Sequence, residues 1–158
     1  MIKKGKKYIG EILVEKGLVT YEQLQSVIEE QMKNKQFLGE MFVKKGIISE
    51  DNLLEVLAEQ FNLDFVRLKD MPIDWEVAKR FSISLITEHK CIPISMDDDT
   101  VTIAITNPLN AWGLGLAEKE AAPRKVKIVL AKASDVDKAI EAFRQYSVRS
   151  MMNKWRKK

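Results

Sequence analysis

Two stretches of the chain carry the same chemically capable residues at the same spacing. Tyr8, Ile9, Gly10 and Glu11 open the first, and Phe37, Leu38, Gly39 and Glu40 open the second. An aromatic ring can stack on a base, and a glycine lets a planar base or a sugar-phosphate approach main-chain N–H groups closely. Each stretch closes on an amide, Gln31 or Gln60, able to donate and to accept hydrogen bonds. Two such sets suit a guest with twofold symmetry.

The elements that position these residues follow from a repeat. YIGEILVEKGLVTYEQLQSVIEEQ (8–31) and FLGEMFVKKGIISEDNLLEVLAEQ (37–60) agree at nine of 24 positions, with Met32 to Gln36 between them. In each copy a short apolar helix runs to a glycine, Gly17 or Gly46, which reads as a C-cap. Thr20 with Gln23 forms a capping-box pattern that starts a second helix, and Ser49 with Asn52 repeats it with a weaker partner. The second helix of copy one has the apolar stripe Leu24, Val27 and Ile28, with Met32 one turn on; that of copy two has Leu53, Val56 and Leu57. Each copy is therefore a helix, a tight turn and a helix.

The twice-written pattern of glycine, apolar pair, glycine, apolar residues and closing glutamine, with its five-residue spacer, resembles the N-terminal domain of type II secretion and type IV pilus assembly ATPases. That is the GspE/PilB/MshE group, whose domain is called MshEN. The resemblance implies a non-catalytic domain binding cyclic di-GMP, with no further cofactor. On it, Gly10 and Gly39 give close backbone approach, Leu13, Val14, Phe42 and Val43 cover base faces, and Gln31 and Gln60 supply amide hydrogen bonds. Glu11 and Glu40 accept from a guanine's N1–H and amino group, and Asn107, in a turn before proline, reaches in from the second lobe. Ile9, Leu38, Gly17, Gly46, Leu24, Leu53, Ile28 and Leu57 complete the motif. The family's motif usually opens with arginine, which grips a phosphate; Tyr8 and Phe37 stand there instead and can stack but carry no charge. Lys6, Lys7 and Lys35 lie beside them in sequence. The same repeat also suits a second reading, a docking adaptor for a secretion or pilus ATPase or an inner-membrane platform protein. No DNA partner is expected.

The chain has 158 residues, 46% of them apolar, enough to bury a core in one domain or two small lobes. No apolar run approaches a membrane span, residues 1–7 do not read as a secretory signal, and a cytoplasmic protein with at most peripheral membrane contact is expected. The formal charge is +3. Lys3, Lys4, Lys6 and Lys7 at one end, with Arg149, Lys154, Arg156, Lys157 and Lys158 at the other, leave 17 basic residues against 23 acidic between them. Such ends read as solvated, or as attracting phosphates or anionic lipid.

After the repeat, FNLDFVRL (61–68) alternates as a short strand, Trp75 to Phe81 reads as a helix capped by Asp74, and 83–89 fits helix or loop. CIPIS and TVTIAIT flank an acidic turn and form a hairpin. Asp97, Asp98 and Asp99 lack the glycine and distant glutamate of a calcium loop and read as a solvated turn. Asn110 caps a helix over 111–121, with Gly113 and Gly115 read as helix breakers; 126–130 is a strand, and Ser134 with Asp135 opens a last helix through Val136, Ala139, Ile140, Phe143 and Tyr146. Met151, Met152 and Trp155 extend its apolar pattern into a basic tail. The expected fold is α+β, with a tandem helix-turn-helix lobe over 1–62, a small lobe with a central hairpin over 63–146 and the tail over 147–158.

Catalytic patterns are missing. The sequence has no GxxxxGK[ST] loop, so ATP hydrolysis is not expected. His89 is the one histidine and Cys91 the one cysteine, which excludes an internal disulfide and a histidine or cysteine cluster for metal. The two together are read as structural rather than as a nucleophile and its base.

Overall fold

The computed structural model describes residues 8–156. The terminal lysines at 3, 4, 6, 7, 157 and 158 lie outside the described residues. The chain forms two compact units, Met1–Asn62 and Leu63–Lys158.

The first unit is the repeat in three dimensions. Helices α1 (Ile9–Glu15) and α2 (Tyr21–Asn34) make the first copy, and α3 (Leu38–Lys44) and α4 (Glu50–Phe61) the second. The two turns repeat one backbone pattern. Gly17 sits at φ 72° and Gly46 at φ 73°, the left-handed region that a Cβ disfavours. Each glycine N–H bonds back to the helix, Gly17 to Val14 O and Gly46 to Val43 O, both at 3.0 Å. The next residues follow suit, Leu18 to Leu13 O and Ile47 to Phe42 O, again at 3.0 Å. Carbonyls left over at the helix ends are satisfied this way.

The second helices start as their caps dictate. Thr20 Oγ1 accepts from Gln23 N at 3.1 Å while Gln23 Oε1 accepts from Thr20 N at 2.9 Å, a complete capping box. Ser49 Oγ accepts from Asn52 N at 3.1 Å, but Asn52, one methylene shorter than glutamine, returns no such bond. Leu24, Val27, Leu53, Leu54, Val56 and Leu57 are buried as their spacing requires, whereas Ile28 is half-buried and Met32, expected to prolong the stripe, is 80% exposed. Near its end α2 has turned its face away from the neighbouring helices. Lys35 and Asn62, both left-handed, end α2 and α4.

In the second unit strands β1 (Ile92–Met96), β2 (Thr100–Ile105) and β3 (Lys125–Leu130) form one sheet in that order, β1 antiparallel and β3 parallel to β2. Antiparallel neighbours need only the acidic turn, where Asp97 Oδ1 accepts from Asp99 N and Thr100 N at 2.8 and 2.7 Å. Parallel neighbours need a crossover, which α7 (Ala111–Ala121) supplies. The core joins Ile92, Ile94, Ala104 and Val129 of the sheet to Val136, Ala139, Ile140 and Phe143 of the last helix, α8 (Ala133–Arg156).

Three further expectations change. Residues 61–68 do not form a strand: α4 runs to Phe61, and only Phe65 pairs with Leu130, with Val66 N to Leu130 O and Leu130 N to Asp64 O at 2.8 Å. A 3-10 turn at Leu68–Asp70 ends the extension and buries Leu68. The helix begun at Trp75 stops at Ala78, and a separate one, α6 (Ile83–Thr87), follows its own cap Ser82; the four-residue helix is α5. Gly113 and Gly115 lie inside α7 and break nothing. A Cβ on Gly113 would stand 2.6 Å from Asn110 Nδ2 and 3.1 Å from Cys91 Sγ, so packing selects that glycine.

The last helix opens at Ala133 and runs unbroken to Arg156. Trp75 of α5 packs on Phe143 and Tyr146, with ring centroids 5.9 and 6.5 Å away. Tyr146 donates its hydroxyl to Glu76, which together with partial burial and the negative charge raises the phenol above its usual range.

The two hinge glycines should each lose about 1 kcal/mol of unfolding free energy on Gly17→Ala or Gly46→Ala, by backbone strain alone because both sites face open space. Gly115→Ala, in a helix interior with nothing within 4 Å of the new methyl, should gain about 0.5–1 kcal/mol. Urea unfolding of the three variants checks the opposite signs.

Candidate ligand site in the tandem repeat

Within the first unit the copies exchange partners. Helix α1 packs against α4, and α2 against α3. Lys16 Nζ bonds Glu59 Oε2 at 2.8 Å, and Lys45 Nζ bonds Glu30 Oε2 at 2.8 Å. Lys45 is the counterpart of Lys16 and Glu59 that of Glu30, so each copy gives the other what it receives. This is the contact pattern of a twofold axis. Exposed pairs of this kind contribute about 0.2–1 kcal/mol each. The sequence reading passed over all four, although both positions are among the nine identities; a lysine and a glutamate conserved between copies, 14 residues apart, carried the signal.

A second exchange, within each copy, concerns the opening glycine. A Cβ on Gly10 would stand 2.7 Å from Leu24 Cδ1, and one on Gly39 2.6 Å from Leu53 Cδ1. Those faces of the glycines are filled by leucine, and both glycines are buried. Gly10 and Gly39 therefore serve close packing of the two helices in each copy.

Of the other expected site residues, Leu13 and Phe42 are fully buried and Ile9, Leu38, Leu24, Leu53 and Leu57 buried, all in the core. Ile28 is half-buried. Gly17 and Gly46 make the turns. Val14, Val43, Gln31, Gln60 and Glu40 are half-buried, and Glu11 is exposed. Gln31 Nε2 donates to Gln36 O at 2.9 Å, which ties the end of α2 to the spacer.

The two positions that replace arginine differ. Tyr8 is 66% exposed. Phe37 is half-buried, with its ring edge 3.2 Å from where a Cβ on Gly39 would stand. Both precede their helices without a side-chain cap. Asn107 belongs to the second unit, where its Oδ1 accepts from Leu109 N at 2.9 Å and its carbonyl from Asn110 N at 3.1 Å.

The pair His89 and Cys91 has no catalytic geometry. Cys91 is buried and its Sγ–H donates to the backbone carbonyl of His89 at 3.4 Å. Burial pushes the thiol from 9.0 up to about 11. Among the described residues no group of three or more histidines, cysteines or acids converges as a metal site. No described helix is long and apolar enough to cross a membrane.

The fold and the repeat define a two-unit α+β domain whose first half is internally twofold. The chain belongs to the MshEN domain family, whose model matches residues 61–150, more than half of the sequence. That span begins where the repeat ends. Type IV pilus assembly ATPase PilB of Myxococcus xanthus (strain DK1622) is 27% identical over 135 residues, which is 85% of this chain and too long to fit within the second unit. It is also 24% of that protein, so the chain spans about a quarter of the curated relative it matches. Among solved structures, MshE with cdg superposes with a TM-score of 0.76 at 23% identity, covering 87% of this chain and 99% of that one. The N-terminal domain of XpsE gives 0.68 at 19% identity, covering 84% and 91%. At these identities the solved structures establish the fold.

Because its folded-state pKa is raised, Cys91 adds stability that is whole below the unfolded value near 9 and is lost as the pH climbs toward 11. Unfolding midpoints between pH 8 and 11 should therefore fall faster for the natural chain than for Cys91→Ala. At neutral pH Ellman's reagent should react with the thiol only after denaturant is added.

Proposed function

We propose that the chain is a non-catalytic regulatory domain that binds cyclic di-GMP through its tandem repeat and tunes a cytoplasmic secretion or pilus ATPase. The support is the set of identities that packing leaves over. Among the nine, Gly10 with Leu24 is used for helix contact, Lys16 with Glu30 for the cross-copy ion pairs, Gly17 for the turn and Val27 for the core. Glu11 with Glu40 and Val14 with Val43 do none of this, and neither pair is fully buried. Gln31 and Gln60 fall in the last turns of α2 and α4 and are half-buried.

A ligand with two equivalent halves is the simplest guest for two equivalent sets, and cyclic di-GMP has two guanosine halves around one ring. MshE, which superposes on 87% of this chain, was solved with cdg, which we read as that dinucleotide. In this reading the valines cover base faces, the glutamates accept from guanine N–H groups and the glutamines supply amides. Tyr8 supplies stacking, for which about 1–3 kcal/mol per base is typical. The partner ATPase, or a platform protein at the inner membrane, would read the bound state.

Titration calorimetry with cyclic di-GMP tests the proposal. Heat with a Kd in the micromolar range is expected, with at least a tenfold loss in Val14→Ser/Val43→Ser, since removing apolar cover of about 1.4 kcal/mol is tenfold. Tyr8→Arg/Phe37→Arg should tighten binding about tenfold by adding charge-assisted contacts to phosphate. No heat and no thermal shift in either the natural chain or the arginine variant would remove the ligand and leave the docking-adaptor reading.

A further inference from the structure

We infer that the C-terminal turns of α8 form a docking face for an anionic phospholipid surface. The observation behind this is a change of face along one helix. Val136, Ala139, Ile140 and Phe143 are buried on the side that meets the sheet. Val148, Met151, Met152 and Trp155, at i, i+3, i+4 and i+7, make a second apolar stripe, each between 49 and 73% exposed. At 3.6 residues per turn this stripe is centred about 120° around the helix from the buried one. The apolar pattern that runs into the basic tail thus leaves the core side, which continues as Ser147, Ser150 and Lys154.

That polar continuation is anchored. Lys79 Nζ donates to Ser150 Oγ at 2.9 Å and lies over the Tyr146 ring, 5.7 Å from its centroid. The helix is held on its own unit by one side, which leaves the Val148–Trp155 stripe turned away from it. Glu141, two turns before Val148 on the same face, pairs with Arg144 at 3.7 Å, and beyond it the charges around the stripe are all basic. Arg149 and Arg156 fall on one flank and Lys154 on the other, each about 90–110° from the stripe's centre, where long side chains can reach around to phosphates while the apolar face is immersed.

Charge complementarity selects the occupant. From residue 142 onward the sequence has six basic residues and no acid. A second copy of the same helix would bring cation against cation, which disfavours self-pairing. A surface of anionic lipid headgroups over hydrocarbon matches both the rim and the stripe, and tryptophan is a residue suited to that boundary. Docking this way is peripheral, and independent of whether the repeat binds a dinucleotide.

Flotation of the whole chain with vesicles provides the test. Partitioning onto mixed phosphatidylglycerol and phosphatidylcholine vesicles should exceed that onto phosphatidylcholine alone by about 25-fold or more, because each basic residue near such a surface contributes about a factor of five and at least two reach it. Met151→Ser/Trp155→Ser and Arg149→Gln/Arg156→Gln should each reduce it at least fivefold while circular dichroism and melting stay unchanged, since all four side chains are exposed. Equal binding to neutral and anionic vesicles, no binding to either, or undiminished binding by both variants would overturn the inference. So would a concentration-dependent dimer abolished by the Met151→Ser/Trp155→Ser change, which would give the stripe to a second copy.

Discussion

The repeat unit depends on how closely two helices can approach inside each copy. With a glycine at Gly10 and Gly39, the leucine one helix further on drops its methyls where a Cβ would be, at 2.7 and 2.6 Å. A residue of any other type would force the buried leucine, Leu24 or Leu53, to shift within the packed core of the unit. Overpacking of this sort costs about 1–3 kcal/mol at one site. Here it would act twice around a twofold axis. The cross-copy ion pairs then act on a geometry that packing has already set, and their exposure keeps them secondary.

How much of this could be read from sequence varies with the range of the interaction. The turns were legible to the residue, because positive φ at Gly17 and Gly46 and the caps at Thr20 and Ser49 are decided within five residues. The hairpin and α7 were legible for the same reason, through a period of two and the cap Asn110, whose Oδ1 accepts from Gly113 N at 3.0 Å. What failed was decided at a distance. Residues 61–68 alternate like a strand, but β3 offers them a single bridge at Phe65, so no ladder forms. Gly113 looked like a breaker because its reasons for being small are packed contacts, the cap Asn110 at 2.6 Å and the Cys91 sulfur at 3.1 Å, the latter 22 residues back. Met32 continued a periodic stripe past the point where any neighbour remains to bury it.

The candidate site was legible in outline and blurred in role. Spacing picks out Gly10, Leu13, Leu24 and Gln31 with equal force, because a repeat preserves residues needed for folding as faithfully as those needed for a guest. Only burial separates the two classes. Leu13 and Phe42, with no exposure at all, belong to the fold, while Glu11 and the valines Val14 and Val43 retain surface. The family model adds an independent contrast, since it matches 61–150 and so identifies the chain by its second unit rather than by the repeat.

The aromatic residues at the head of each copy make the two halves unequal. Tyr8 is 66% exposed, whereas Phe37 is half-buried with its ring edge against Gly39. Stacking strength follows the area a ring can still lose to a base, so the Tyr8 half has more to gain than the Phe37 half. A charged head would behave otherwise, because a guanidinium gains from phosphate through two fixed N–H bonds rather than from area. If the repeat holds cyclic di-GMP as proposed, rings in place of charge would make the Tyr8 half the more open stacking platform, and a symmetric guest would be held asymmetrically. On that reading salt should weaken binding less than phosphate gripping by arginine would require, because the two rings themselves carry no charge to be screened.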